Sequence, residues 1–429
     1  MVRTPWGRKL FAIALVGATA MVGLGCADDD DDGDAAPGGG FEPGEYGAVD
    51  IGPDDPIVIA SLQAISGDTA SLGTDQVRAI EIAIADRGGE LLGHQIELQS
   101  EDDGCRAEAG QTAANRIVSD PQIVGVIGSS CSGAAVPAMS TFVDEHLVMI
   151  SGSNTSPGLT SDLEGNALEN NQEGYFRIAH NDIIQGQAAA QFAFDELGAT
   201  TAATVHDGDP YTEGLATAFG TSFTDLGGEV VLATAVDPDA TDMRPVLTEI
   251  DAAAPDIVFF PIFQPAANFV IQQSKEFPGL ADSNKMMGAD GLLSDTFIVL
   301  PETEGMYFSG PAAPVGAAYD DFVAKYEAEF GEAPIQSFHA HAYDATNILL
   351  DTIEEVAVED DDGTLHIDRM ALIEALYDVD GYEGLTGSLS CDEFGDCADP
   401  KIDVLQNSEA TVTIGDVRAN VLFTYDPEG

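Results

Sequence analysis

The sequence predicts an α/β protein of two doubly wound lobes with parallel sheets, and three observations carry that expectation. Short apolar runs alternate with helical stretches, the pattern of parallel strands covered by helices on both faces. The alternation comes as two series in tandem, the second restarting after Tyr175. Roughly 370 residues follow Pro56, more than one ordinary core accommodates.

In the first series strands are expected at 57–60, 96–98, 124–127 and 147–150, with helices over 74–86, 107–119 and 134–145. Val77, Ile80 and Ile84 share one helical face, and Gly88 and Gly89 end that helix. In the second series strands are expected at 203–206, 230–233, 257–260 and 285–288. Helices over 183–197, 212–226, 243–253 and 266–276 alternate with them.

Ligands of open α/β sheets sit at the carboxyl ends of the strands, so the loops after the strands are the candidate site. After 124–127 comes Gly128-Ser129-Ser130-Cys131-Ser132-Gly133, running straight into a helix. Free N–H groups and the dipole at a helix N-terminus suit a carboxylate. After 147–150 comes Ser151-Gly152-Ser153-Asn154-Thr155-Ser156, again small and hydroxyl-rich. After 203–206 comes Asp207-Gly208-Asp209-Pro210-Tyr211, and after 285–288 comes Ala289-Asp290-Gly291. Donors in three loops and an acid in the fourth can hold a zwitterion by both ends.

The N-terminus has the order of a secretory signal over 1–25: Arg3, Arg8 and Lys9, an apolar run over 10–16, then small residues. Leu24-Gly25-Cys26 resembles the lipobox of bacterial lipoproteins, which implies cleavage before Cys26 and a lipid on that cysteine. Residues 26–55 read as a disordered tether, because the acidic run Asp28 to Asp32 and the glycines Gly38, Gly39 and Gly40 bury no apolar area. Such a chain is secreted across the cytoplasmic membrane and held at the cell surface or periplasmic face by its lipid.

Acidic residues number 75 against 15 basic ones, a net charge of −60. Phosphate recognition needs clustered Lys and Arg, so nucleic acid is excluded as a partner. The excess reads as a solvation adaptation, such as to salt. Catalytic patterns fail one by one. The Gly128–Ser132 stretch is not a nucleophile elbow, since a serine stands where the closing glycine belongs. No Gly-x-Gly-x-x-Gly follows the first strand. His339 and His341, two apart on a helix, point different ways and are expected to be one packed, one exposed. Cys391 and Cys397 favour a local disulfide over a zinc site, as no histidines lie near. The expectation is a binding protein with no catalytic residue, no cofactor and no metal.

The segments VIGSSCSGAAVPA, MISGSNTSPGLT, HDGDPYTEGLA and MMGADGL resemble, in order and in register, the branched-chain amino acid (Leu/Ile/Val)-binding proteins of ABC importers, which are type I periplasmic binding proteins. The resemblance implies two Rossmann-like lobes joined by three crossing strands near His180, Pro311 and Leu385. That makes 56–180 plus 311–385 one lobe and 181–310 plus 386–429 the other. It implies that Ser132 holds the ligand carboxylate, with Ser153 and Thr155 from the next loop, and that Tyr211 and Asp290 close from the second lobe, Asp290 facing the α-ammonium. It further implies a Cys105–Cys131 disulfide. Phe263 stands where the family has a pocket tyrosine and Leu72 where it has a tryptophan, so the ligand's side chain is left open. The implied partners are a small amino-acid-like ligand and ABC permease subunits, with the protein itself a monomer. The alternatives are a ligand-sensing receptor, a binder of amides, urea or carboxylates on the same fold, and a secreted hydrolase.

Overall fold

Two parallel-rich sheets organise the chain, in a computed structural model that describes residues 41–409 and 413–427. The first part runs β1 (Ala48–Ile51), β2 (Ile57–Gln63), α1 (Ala70–Asp86), β3 (Glu90–Leu91), β4 (His94–Asp102), α2 (Ala107–Ile117), β5 (Ile123–Gly128), α3 (Ser132–Phe142), β6 (Val148–Ser151) and β7 (Tyr175–Arg177). Six of these strands form a sheet in the order β3-β4-β2-β5-β6-β7, parallel apart from β3–β4. β5, Ile-Val-Gly-Val-Ile-Gly, is buried at every position, as expected of a strand covered on both faces.

The second part runs α4 (Asp182–Gln191), β8 (Thr201–His206), α5 (Pro210–Asp225), β9 (Glu229–Ala235), α6 (Arg244–Ala253), β10 (Ile257–Phe259), α7 (Ala266–Ser274), β11 (Met286–Ala289), α8 (Asp295–Ile298) and β12 (Tyr307–Pro311). The chain then returns to the first lobe with α9 (Ala317–Phe330), α10 (His339–Val356), β13 (Val358–Glu359), β14 (Leu365–Asp368), α11 (Arg369–Tyr377), β15 (Tyr382–Glu383) and β16 (Ser388–Leu389). It ends in the second lobe with β17 (Ile402–Gln406), α12 (Ile414–Ala419) and β18 (Val421–Tyr425). The second sheet has the order β18-β17-β12-β11-β10-β8-β9, its β17 and β18 antiparallel. Every strand and helix expected in the two series is present.

Each lobe has its own core. Ile57, Ile59, Ile127 and Ile150 of the first sheet pack with Ile80 of α1 and with Leu349 and Ile353 of α10. Val258, Met286 and Phe308 of the second pack with Leu247 and Ile271 of its helices. α1 comes so close to the end of β2 that a Cβ on Gly73 would strike the backbone of Ala64, which restricts that helix position to glycine.

Three expectations need correction. The folded body begins before Pro56: β1 pairs with β14 in an antiparallel ribbon, and its Val49 and Ile51 are buried. A residue pair with that apolar area is held by the core rather than left in a tether. The third crossing comes after Leu385, because Leu389 and Cys397 belong to the first lobe's core, and the chain changes lobes between Cys397 and β17. Segments around His180, Pro311 and Pro400, together with Leu385, Thr386 and Gly387 of the first lobe, line one cavity of about 190 Å³. Finally, both His339 and His341 are buried; the first three turns of α10 are enclosed on two sides, and its exposed residues, Asp351, Glu354 and Glu355, come only towards its C-terminal end. Among the described residues no helix is long and apolar enough to cross a membrane. Cys26 and the expected signal lie outside the described residues.

Candidate ligand-binding site

The four loops chosen from the sequence meet between the lobes. At the end of β5 the Cys105–Cys131 disulfide, with Cα atoms 5.1 Å apart, ties the loop before α3 to the end of β4. Behind it, buried Asp103 accepts from Ser130 N at 2.9 Å and Cys105 N at 2.7 Å; burial pushes its carboxyl up to about 7 despite those bonds. Ser132 opens α3. Its Oγ accepts from Ser156 N at 3.3 Å, leaving the hydroxyl proton to donate. Ser153 is also in the cleft wall, but its hydroxyl is engaged, donating to Ser130 O at 2.8 Å and accepting from Gln76 Nε2 at 2.9 Å.

The second lobe supplies the acids. Asp209 caps α5 by accepting from Tyr211 N at 2.9 Å, and the same carboxylate reaches across the cleft to Gly133 N of α3. One side chain thus caps two helices, one from each lobe, and the cleft is shut. Burial raises the Asp209 carboxyl to about 7. Asp290 Oδ1 accepts from Gln185 Nε2 at 2.7 Å and from Tyr211 Oη at 3.1 Å. Burial pushes Asp290 up to about 6, against the pull of those two donors. Gln185 Oε1 in turn lies 2.5 Å from His180 Nε2. That partner assigns the imidazole proton to Nε2, and burial lowers His180 to about 4, so a neutral hinge histidine is linked through Gln185 to Asp290.

Sequence reasoning missed Asp182, Gln185 and Asp209. Asp182 opens α4 directly after a crossing segment, where an Asn-Asp pair reads as helix capping, and Asn181 does serve as that cap. Yet both Asp182 carboxylate oxygens are buried without a hydrogen-bond partner, and so is Thr155 Oγ1. Burial, then the neighbouring Asp290, raise Asp182 well above the carboxylate range, while the Thr155 hydroxyl, which faces it without a close hydrogen bond, works the other way. Buried polar atoms are ordinarily paired, and these three stand together beside Asp290. Beside them an apolar cluster of Leu72, Cys131, Ala179 and Phe338, with Phe263 packed against it, spans the cleft. Phe263 lies 5.2 Å from the Tyr211 ring, centroid to centroid.

A hydroxyl donor at a helix N-terminus, paired acids opposite it and an apolar wall lie together between the two α/β lobes. Residues 56–394 match the periplasmic binding protein family. The chain belongs to that family. As a periplasmic binding protein it is 29% identical over 241 residues to an amino acid binding protein of Pseudomonas aeruginosa, a match spanning 56% of this chain and 62% of that one. It is 28% identical over 354 residues to a leucine-, isoleucine-, valine-, threonine- and alanine-binding protein of the same organism, spanning 80% of this chain and 87% of that one. The crystal structure of a leucine-binding protein from Thermotoga maritima superposes with a TM-score of 0.73 at 23% identity, covering 87% of this chain and 99% of that one. The fold of this periplasmic binding protein is therefore the type I clamshell with three crossings.

Proposed function

We propose that this periplasmic binding protein captures a neutral α-amino acid with an aliphatic side chain and delivers it to the permease of an ABC importer. The observation that carries the reading is the set of unpartnered buried atoms, Thr155 Oγ1 and both Asp182 oxygens, beside Asp290. An ammonium has the protons and the charge to complete all of them. Ser132 would donate to the carboxylate, Tyr211 would hold Asp290 in place, and Leu72, Phe263 and Phe338 would cover the side chain. Leucine- and isoleucine-type ligands in the relatives support this size and polarity.

The acids also explain why closure would follow ligand. Shutting an empty cleft removes Asp182 and Asp290 from water side by side, which is costly. A bound ammonium cancels that cost, so the ligand favours the closed state by its differential affinity. The site is complete within one chain, consistent with a monomer, and Cys26 would anchor the mature protein to the membrane by its lipid. No bond-breaking step is part of the reading.

A thermal-shift screen of the mature protein tests it, with α-amino acids, their deaminated acids, their decarboxylated amines, urea and benzoate. Stabilisation is expected from the amino acids alone. Deaminated acids or benzoate that stabilise equally well would overturn the ammonium site. For the anchor, Cys26→Ser is expected to release the protein into the medium; unchanged membrane association would refute it.

A further inference from the structure

We propose that Asp396, presented by the Cys391–Cys397 loop, is a positioning residue of the ligand site that acts through buried Arg177 on the loop bearing Thr155. The inference rests on the binding reading for its affinity arm alone. Arg177 ends β7, and its side chain is 0% exposed. Its Nε donates to Asp396 Oδ1. Its Nη1 donates to Asn154 O at 3.3 Å and Ser156 O at 2.8 Å, and its Nη2 to Thr160 Oγ1 at 2.5 Å. The two carbonyls lie on either side of Thr155. The guanidinium holds both through Nη1 while Nε and Nη2 are tied to Asp396 and Thr160, and Thr155 Oγ1 faces Asp182 without a close hydrogen bond.

A fully buried guanidinium needs a counter-charge to remain there, and Asp396 supplies it. Asp396 belongs to no helix or regular strand; a closed loop presents it. Cys391 and Cys397 are bonded, and Asp392 Oδ1 accepts from Phe394 N at 2.8 Å and Asp396 N at 2.9 Å. The loop docks on the edge of β7: Arg177 N donates to Gly395 O at 2.9 Å, and Cys397 N donates to Arg177 O at 3.0 Å. Gly395 has φ +88° and would meet the backbone of Tyr175 with any Cβ, so glycine alone permits that approach. The second Asp396 oxygen faces Asn181 Nδ2 at 3.5 Å, and Asn181 caps the helix that begins with Asp182. One carboxylate outside the cleft therefore stands behind both limbs of the ammonium site.

Arg177→Lys keeps a cation beside Asp396 but cannot span both carbonyls. Asp396→Asn leaves the guanidinium unpaired, and Asp396→Glu restores the charge. Two readouts are taken: amide exchange over 152–160 in ligand-free protein, and calorimetry with L-leucine. Arg177→Lys is expected to speed exchange over 152–160 without changing second-lobe peptides, and to weaken L-leucine binding at least about tenfold. Asp396→Asn gives the same two effects, which keeps the test intact if the lysine variant does not fold, and Asp396→Glu largely rescues them. Ile51→Val, a first-lobe core change on β1, which lies in a different sheet from β7, lowers the melting temperature and leaves affinity alone. Unchanged exchange over 152–160 in the Arg177 and Asp396 variants overturns the proposal. So does affinity that falls with melting temperature in Ile51→Val as it does in them. A wild-type protein that ignores L-leucine counts against the ligand class, and the exchange arm then decides the positioning role by itself.

Discussion

Asp290→Asn separates the ligand's demands from the fold's. Asparagine keeps an acceptor for Gln185 Nε2 and Tyr211 Oη, the two donors now on Asp290 Oδ1, and removes only the charge. Burial lifts this carboxyl from 3.8 to about 6. At about 1.4 kcal/mol per tenfold, holding it ionised at pH 7 in the empty closed cleft costs on the order of 3 kcal/mol. Removing the charge therefore favours closure of the empty protein, by up to about a hundredfold in the open-to-closed ratio. Binding moves the opposite way. Truncating one side of a desolvated charge pair costs about 2–5 kcal/mol, or about 30- to several-thousand-fold in affinity. Small-angle scattering of the ligand-free variant is expected to give a smaller radius of gyration than wild type, and calorimetry with the best amino acid a sharply weaker affinity. Undiminished affinity would refute the ammonium assignment. An unchanged or larger radius would refute the argument that the acids hold the empty cleft open.

Ser132→Ala removes one hydrogen bond to a charge and is expected to weaken binding by roughly 1.5–3 kcal/mol, read by the same calorimetry, and to lower the melting temperature of the empty protein because buried Ser156 N loses its acceptor. The raised carboxyl of Asp290 favours the empty closed form at low pH, an advantage lost as pH rises from the ordinary carboxylate range through about 6, and raised Asp182 works in the same direction. An ammonium ligand needs them ionised, so affinity is expected to fall as pH drops from 7 to 5, with proton release on binding near pH 6. Asp103 and Asp209 titrate nearby, so the comparison is made against Asp290→Asn, which should flatten the profile. Repulsion within a net charge of −60 weakens as the Debye length falls from about 10 Å at 0.1 M salt to about 3 Å at 1 M. The melting temperature is expected to rise over that range of sodium chloride, and a flat curve would count against surface repulsion.

By itself the sequence determined what local pattern can determine. Apolar runs such as 124–127 are strands wherever they are placed, because no other element buries both faces of so short a segment. Helices such as 74–86 announce themselves by spacing. The loops between them carry Ser132, Thr155, Tyr211 and Asp290 because a doubly wound sheet leaves one end of its strands for ligand. Tertiary structure decided the rest, since burial and partnership are properties of neighbours distant in sequence. Asp182 is a plain helix-start acid until folding buries it beside Asp290 with the Thr155 hydroxyl facing it and no close hydrogen bond to its oxygens. Ser153, as good a donor on paper as Thr155, has its hydroxyl taken by Ser130 and Gln76. β1 was hidden because four residues of Ala-Val-Asp-Ile make a strand only when β14, more than 300 positions away, lies alongside to complete their hydrogen bonds. Asp396 lay in a stretch whose composition spells only a turn, and it gained a role when the chain carried it back under a buried arginine that could not stay charged alone.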